Sequence, residues 1–409
     1  MLSDERPSGP SVENMNFENE CCHLKINRFL LSCFGLWPYH SIYFKCCCIL
    51  LFLTWIVSSI TAMIQGLGDK TSTDIGIIFE TAVSILTMMG SLAQHRVLIF
   101  NSAEVRSLYE RMERDWKAAD FEERMIMKEF WRQGRKLSYI FAVLGLVCFA
   151  GQISLTYLPL VFAEDVEKNY SKIFPYYSHR WIISDDHRNL QVFVHGSLGY
   201  FYAGFSYTVV CCLYMSNTKH ICAMYEIVCA FSFRLGNLVR DGRLATASRK
   251  EEKERIVSET LTIIGKHREA IESVRIINRI FSLFYFFVQI GFLAALAMLI
   301  FDVRSSKLTW SPRRIAVTTG IHIAYEFFLN YAGEQVIEYS SKVLTSTHFM
   351  QWYLLPRDAK KLLLMISQRG LKVDTLDAGI MTCTLENFTQ IIKASWSLAC
   401  VLLSTQKEC

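Results

Sequence analysis

The sequence predicts an all-α membrane protein of seven transmembrane helices, with a cytoplasmic N-terminus, an extracellular C-terminus and a cytoplasmic helical anchor. Three observations predict it. Seven apolar stretches, Tyr43–Gln65, Ile75–Ala93, Leu137–Val161, Gln191–Met215, Ile276–Phe301, Arg314–Tyr331 and Thr384–Leu403, run close to the ~20 residues a spanning helix needs. Positive charge is sorted between alternate connections. The N-terminus and the second, fourth and sixth loops hold roughly 30 Lys and Arg, against about 10 in the first, third and fifth loops and the tail. Lys and Arg collect on the cytoplasmic side, so the N-terminus is inside, and an odd number of crossings puts the C-terminus outside. The third loop also carries a glycosylation sequon, Asn169-Tyr170-Ser171, on the lumenal side of that topology. A G-protein-coupled receptor has the reverse orientation.

The division along the chain follows. Residues 1–42 form a cytoplasmic segment, 43–332 the first six spans, 333–383 a cytoplasmic anchor segment, and 384–409 the last helix and a short outer tail. Met1–Glu20 is polar and acidic, without the apolar core of a cleavable signal, so the first span serves as the targeting signal. Cys46, Cys47 and Cys48 close its inner end, and ordinary packing is the preferred reading over palmitoylation. In Arg96–Lys136, Val105, Leu108, Met112 and Trp116 recur at helical spacing among charges of both signs, which predicts helix below the membrane. Lys219–Arg275 reads as two helices with a break at Gly236–Arg249. Between spans six and seven, Phe349–Pro356 precedes an amphipathic helix over Arg357–Arg369, with Pro356 suited to a first turn.

The hydrophobic fraction of 52% suits a polytopic protein, and the net charge of +5 reflects basic residues gathered at one face. No soluble basic surface for nucleic acid is visible. There are 14 cysteines, yet the three outer loops contain none, which argues against an extracellular disulfide framework. Patterns of catalysis are missing: no HExxH, no GxSxG and no Walker loop, and the histidines show no metal-ligand spacing. No enzyme, cofactor or metal site is read here.

Two polar constellations stand out. In span six, His322, Glu326, Asn330 and Glu334 recur every four residues, either as a gating or coupling network or as an internal hydrogen-bonded contact with a neighbouring helix. In span seven, Glu386, Gln390, Lys393, Ser397, Val401 and Ser404 share one face. Unpaired polar groups facing lipid are costly, so this face lines water or packs on polar groups of another helix. The pore alternative requires an oligomer, since one helix encloses nothing. The outer halves of spans two, three, four and six supply Phe79, Val83, Phe149, Ile153, Gly199, Tyr202 and Thr319, with His195 and His322 as rare polar groups. That composition suits a small-molecule pocket, and equally a plain core.

The C-terminal third resembles the insect odorant receptors. The similarity runs through Gly333-Glu334, Glu338-Tyr339-Ser340, Trp352-Tyr353 with Pro356, the 360–369 helix, Leu385-Glu386-Asn387-Phe388-Thr389 and Ser395-Trp396-Ser397. Gly35-Leu36-Trp37-Pro38-Tyr39 is similar to the family's lead-in to span one, and Trp396 departs from the tyrosine common there. The chain lacks the long fourth-loop insertion of the family's shared co-receptor, which implies an odorant-tuning subunit. The resemblance implies a ligand-gated cation channel of four subunits at the cell membrane of a sensory neuron, formed with the co-receptor and opened by a small volatile odorant. It implies ligand binding in the outer half of spans two to six, at the residues named above. Gln390, Lys393, Ser397, Val401 and Ser404 would line the pore, and Trp352 and Tyr353 would hold the subunits together. A gustatory-receptor-like channel subunit shares the topology and is the alternative; a G-protein-coupled receptor is opposed by the charge sorting. The sequence does not name the ligand.

Overall fold

Each predicted span lies on its own long helix. The computed structural model describes residues 22–69, 75–161, 188–240, 249–305 and 312–408. Its α-helices, among the described residues, are α1 (Cys22–Cys33), α2 (Ile42–Asp69), α3 (Ile75–Phe100), α4 (Ser102–Ala118), α5 (Phe121–Val161), α6 (Arg188–Arg240), α7 (Arg249–Ser305), α8 (Pro312–Phe349), α9 (Arg357–Gly370) and α10 (Leu385–Glu408). Spans one to seven occupy α2, α3, α5, α6, α7, α8 and α10. Five of these, α2, α3, α5, α6 and α7, carry a window long and apolar enough to cross a bilayer by length and composition. Helices α8 and α10 are more polar, for the reason their stripes gave in the sequence. Asn169 lies outside the described residues.

Helix α6 is the axis of the bundle. Every side chain from 208 to 225 is buried, and α5, α8, α7, α3, α2 and α1 all pack against it. A helix apolar on all sides can be stable only when surrounded. Several of its buried polar groups find partners on neighbouring helices, although Thr218 Oγ1 and His220 Nδ1 are buried without one. Lys219 donates to Gln133 Oε1 at 3.3 Å and Gln335 Oε1 at 3.0 Å, and His220 Nε2 lies 2.8 Å from Asp115 Oδ2. Asn27 of α1, a helix the sequence did not announce, donates to Ser216 at 2.7 Å.

The segment Arg96–Lys136 is three helices rather than an extension of one. Asp120 and Glu123 form a reciprocal capping box: Glu123 N–H donates to Asp120 Oδ1 at 2.9 Å, and Asp120 N–H to Glu123 Oε2 at 3.0 Å. Such a cap contributes about 1 kcal/mol and starts α5 afresh after α4 ends. The break expected from Gly236 falls later, because α6 continues to Arg240. A Cβ at Gly236 would lie 3.2 Å from Met350 Cβ, so this glycine serves close packing instead of ending the helix. Cys48 packs against the α1–α2 corner as expected, but Cys46 and Cys47 are exposed and do not pack.

Between α9 and α10 the chain forms a two-residue hairpin, β1 (Asp377–Ala378) with β2 (Met381–Thr382), turned by Gly379 at φ 63°. The hairpin is clamped to α7. Asn278 Nδ2 donates to Thr375 O at 2.9 Å, and Asp377 N–H donates to Asn278 Oδ1 at 3.0 Å. One turn along α7, Ser282 Oγ accepts from Gly379 N–H at 2.9 Å.

Candidate functional site

Three regions carry the residues singled out in the sequence. The first is the seam between α3, α6 and α8. His322 of α8 donates from Nδ1 to Thr318 O at 2.8 Å, which leaves Nε2 as an acceptor 3.2 Å from Thr87 Oγ1 of α3. The single Thr87 hydroxyl proton also has Val83 O within 2.9 Å. One of these two acceptors is therefore open to a further donor. Deeper in the seam, Tyr207 of α6 donates to Thr87 O at 3.2 Å and meets the Tyr325 ring edge-on at 4.9 Å. Gln94 Nε2 donates to Tyr325 at 3.1 Å, and Ser206 donates to Gln94 Oε1 at 3.1 Å. Ser84 and Tyr200 pair at 2.8 Å.

The expected pocket residues do not share one set of contacts. His195 and Gly199 face α2: Trp55 Nε1 donates to His195 O, Ser58 Oγ lies 2.8 Å from His195 Nε2, and a Cβ at Gly199 would meet Ser59 Oγ at 2.6 Å. Tyr202 faces the same side, against Phe34 and Phe52. Phe79 and Val83 face α7, at Phe301 and at Ala295 with Leu299. Phe149 meets Phe201 at 5.1 Å, and Ile153 and Thr319 are half-buried. Only His322 reaches the polar seam. The sequence reading missed Thr87, Gln94, Tyr207 and Tyr325. A signal existed, since Ser84, Thr87, Ser91 and Gln94 recur at three- and four-residue spacing on span two.

The second region is the root of α10, where the span-six stripe ends. Glu326 and Asn330 are fully buried, and Asn330 Nδ2 donates to Glu326 Oε1 at 2.8 Å. Asn330 Oδ1 accepts from Thr384 N–H and Glu334 Oε2 from Leu385 N–H, both at 3.1 Å. Thr384 in turn caps α10 by accepting from Asn387 N–H at 3.0 Å. Lower on the stripe, then, the internal contact is with α10, through backbone groups a helix start leaves unsatisfied. Gly333 lets the chains approach: a Cβ there would lie 2.0 Å from Cys383 O.

Helix α10 rests on α7 and α8 through Ile391 with Phe292 and Leu296, and through Phe388 with Phe327. Gln390, Lys393, Ser397, Val401 and Ser404 are all exposed, Val401 at 57%. The face Asn387, Ile391, Ser395, Ala399 turns to the bundle instead, with Ile391, Ser395 and Ala399 buried. The stripe is therefore not spent on a neighbouring helix of its own chain.

The third region is the segment expected to anchor the subunits. A 3₁₀ turn presents Trp352 (48% exposed), Tyr353 (59%) and Leu354 (47%), beside exposed Phe349, Leu364 and Met365. The segment leading to the hairpin is held from inside. Tyr225, whose hydroxyl burial pushes well above its ordinary range, donates to Asp374 Oδ2 at 2.8 Å, and Arg369 pairs with the other carboxylate oxygen. Among the described residues no His, Cys, Asp or Glu group is arranged to hold a metal.

The sequence profile of the family described as 7tm odorant receptor matches residues 74–396. No curated protein matches the chain in sequence. The fold is similar to the insect olfactory receptor OR5 from Machilis hrabei in complex with eugenol, with a TM-score of 0.73 at 13% identity over 95% of this chain and 100% of that one. A second structure of that receptor matches with the same score and identity over 94% of this chain and 100% of that one. At such identity the likeness concerns the fold; the profile, spanning well over half the sequence, decides the family. This chain belongs to the 7tm odorant receptor family, multi-pass membrane proteins that act as sensory receptors and not as enzymes.

Proposed function

We propose that the chain is the odorant-tuning subunit of a heteromeric, ligand-gated cation channel formed with a co-receptor, its N-terminus cytoplasmic and its C-terminus extracellular. The observation that carries this reading is the exposed polar stripe of α10. In lipid such a face would be costly, and among the described residues nothing covers it. Around a central axis shared with other subunits it lines water. Val401 then forms an apolar ring near the outer constriction, where dewetting closes a channel, with Ser397 below it. Lys393 lies toward the wide inner vestibule, where its charge stays hydrated.

The ligand belongs in the outer half of the bundle, around the α3–α6–α8 seam. That seam combines the rings of Tyr207 and Tyr325 with the polar groups of Thr87, Gln94 and Ser206, and Thr87 and His322 offer an open acceptor to a hydroxyl-bearing odorant. Eugenol in the Machilis receptor is of that kind, which makes phenols and alcohols the first ligands to try. Ligand opens the channel to the extent that it binds the open state more tightly than the closed one. Trp352 and Tyr353 supply the contact between subunits.

Because Cys400 is itself exposed on α10, the test starts from a Cys400→Ser chain co-expressed with the co-receptor. Ser397→Cys or Val401→Cys in that background should react with a water-soluble thiol reagent faster when odorant is present, and modification should reduce current. Labelling indifferent to odorant, with current intact, would show that the stripe packs on protein and another element conducts.

A further inference from the structure

We infer that Cys46 and Cys47 form an S-acylation site that takes a long-chain acyl group from an acyl-coenzyme A. The inference rests on the inward N-terminus proposed above. Both residues lie in the second turn of α2, at the end of the apolar run Ile42–Gln65 that crosses the membrane. Their side chains are exposed, in contrast to Cys211, Cys212, Cys222, Cys229 and Cys383, which are buried. Cys48 fills the α1–α2 corner, where a Cβ on Gly35 would come within 2.7 Å of it. A packing role explains Cys48 and not its two neighbours.

What surrounds the two thiols decides the chemistry. One turn further along the same face, Leu50 and Leu51 are each at least 60% exposed, and Val57 continues the line. Tyr43 and Phe44, one turn before, are exposed as well. This is a lipid-facing surface, and side chains four residues apart lie over one another on a helix. An acyl chain on either thiol would run down the Leu50–Val57 line into the bilayer. The charged groups nearest the α1–α2 corner are Lys45, Arg28 and Arg106, with Glu110 and Glu113 beside Tyr39. Lys45 donates to Pro38 O at 2.6 Å, which draws its ammonium back to the corner, and Lys45 and Arg28 both lie near His40. Basic groups at the cytoplasmic surface attract the anionic leaflet and, by the same attraction, the phosphates of coenzyme A.

The reaction is an acyl exchange without redox change. The cysteine sulfur, its proton lost, attacks the thioester carbonyl; a new sulfur–carbon bond forms, the bond to coenzyme A breaks, and the departing thiolate takes up the proton. A membrane acyltransferase of the host cell brings the donor. Thiols at the cytoplasmic end of a spanning helix are the type of site that such reversible acylation uses.

The experiment is metabolic labelling of the full chain, co-expressed with its co-receptor in insect cells, using an alkyne-tagged palmitate probe. Hydroxylamine then distinguishes thioesters from other linkages. Wild type should carry hydroxylamine-sensitive label; Cys46→Ser/Cys47→Ser should lose nearly all of it, and Cys400→Ser should keep it. Both serines replace exposed side chains, and surface biotinylation normalises for the amount of receptor. Absent label on wild type, or label that survives the double substitution, overturns the inference. An N-terminal epitope tag read on the same intact cells separates the causes. Without label and with the tag hidden, the acylation idea alone is wrong; with the tag exposed, the topology fails and takes the site with it.

Discussion

Replacing Gly333 by alanine tests whether α8 holds the start of α10 by direct contact. The new Cβ would sit 2.0 Å from Cys383 O and 2.6 Å from Cys383 Cβ. Ordinary contact begins near 3.4 Å, so the backbone at Cys383 must retreat by about 1.4 Å. The next two residues, Thr384 and Leu385, donate their N–H groups to Asn330 and Glu334 across 3.1 Å. A retreat of that size breaks both bonds. The neutral bond contributes about 0.5–1.5 kcal/mol and the one to the carboxylate about 1.5–3. The expected loss is therefore roughly 2–4 kcal/mol, concentrated at the root of α10. The control lies on the same helix: a Cβ at Gly320 meets nothing within 4 Å, and alanine there is expected to be neutral or slightly stabilising. The assay pairs thermal unfolding of the detergent-purified complex with odorant-evoked current per surface receptor. Gly333→Ala should melt several degrees lower and pass less current, while Gly320→Ala matches wild type. If the two variants behave alike, the close approach of α8 to Cys383 is not what positions α10.

Two further outcomes follow from the other regions. Trp352→Ala with Tyr353→Ala should reduce recovery of the co-receptor by at least about tenfold in co-purification, since buried aromatics at interfaces contribute about 2 kcal/mol or more each; undiminished recovery would remove the anchor role. His322→Phe should raise the half-maximal concentration of a hydroxyl-bearing odorant about tenfold and spare its methyl ether, whereas Tyr325→Ala, which removes a ring from the seam itself, should shift both. Equal shifts for the two odorants in His322→Phe would mean that Nε2 makes no ligand contact.

The seven spans were legible because a run of about 20 apolar residues has few other uses in a chain of this size. The helix Arg357–Gly370 was legible from its two-sided pattern, but of the apolar side expected at Leu362, Leu363, Met365 and Ile366 only Leu363 and Ile366 are buried, and Met365 is exposed. What escaped the sequence depends on contacts between distant segments. The amphipathic turn of α1 looks like polar lead-in until Asn27 meets Ser216, 189 residues away. The hairpin at Gly379 has strands too short to show alternation, and it exists because Asn278 and Ser282 hold it. The break at Asp120 was written in the sequence as Asp-Phe-Glu-Glu, but dense charge on both sides concealed it. The rotation of each helix was the least legible property of all. Phe79, Val83 and Tyr202 are aromatic or aliphatic at plausible depths, yet they turn to α7 or α2 and not toward each other.

Helix α8 joins the candidate ligand region to α10, the proposed pore helix, by one unbroken stretch of backbone. His322 touches Thr87 of α3, and about two and three turns later Asn330 and Glu334 hold the N–H groups of Thr384 and Leu385 at the start of α10. A continuous helix is stiff along its axis, because its hydrogen bonds are internal and each turn supports the next. The attachment at the far end joins the backbone N–H groups of Thr384 and Leu385 to the Asn330 and Glu334 side chains, and the Asn330 amide is itself buried and fixed by its bond to Glu326. A ligand that moves His322 relative to α3 therefore need not send a signal through loosely packed side chains. It has to shift α8 as a body, and the start of α10 follows. The buried Glu326–Asn330 pair sits midway on that path and joins the two ends, since the amide that binds Glu326 also accepts from Thr384. Coupling of this kind requires an element with two arrangements that both sites bias, and the tilt of α8 against α3 and α7 is the element that the contacts single out.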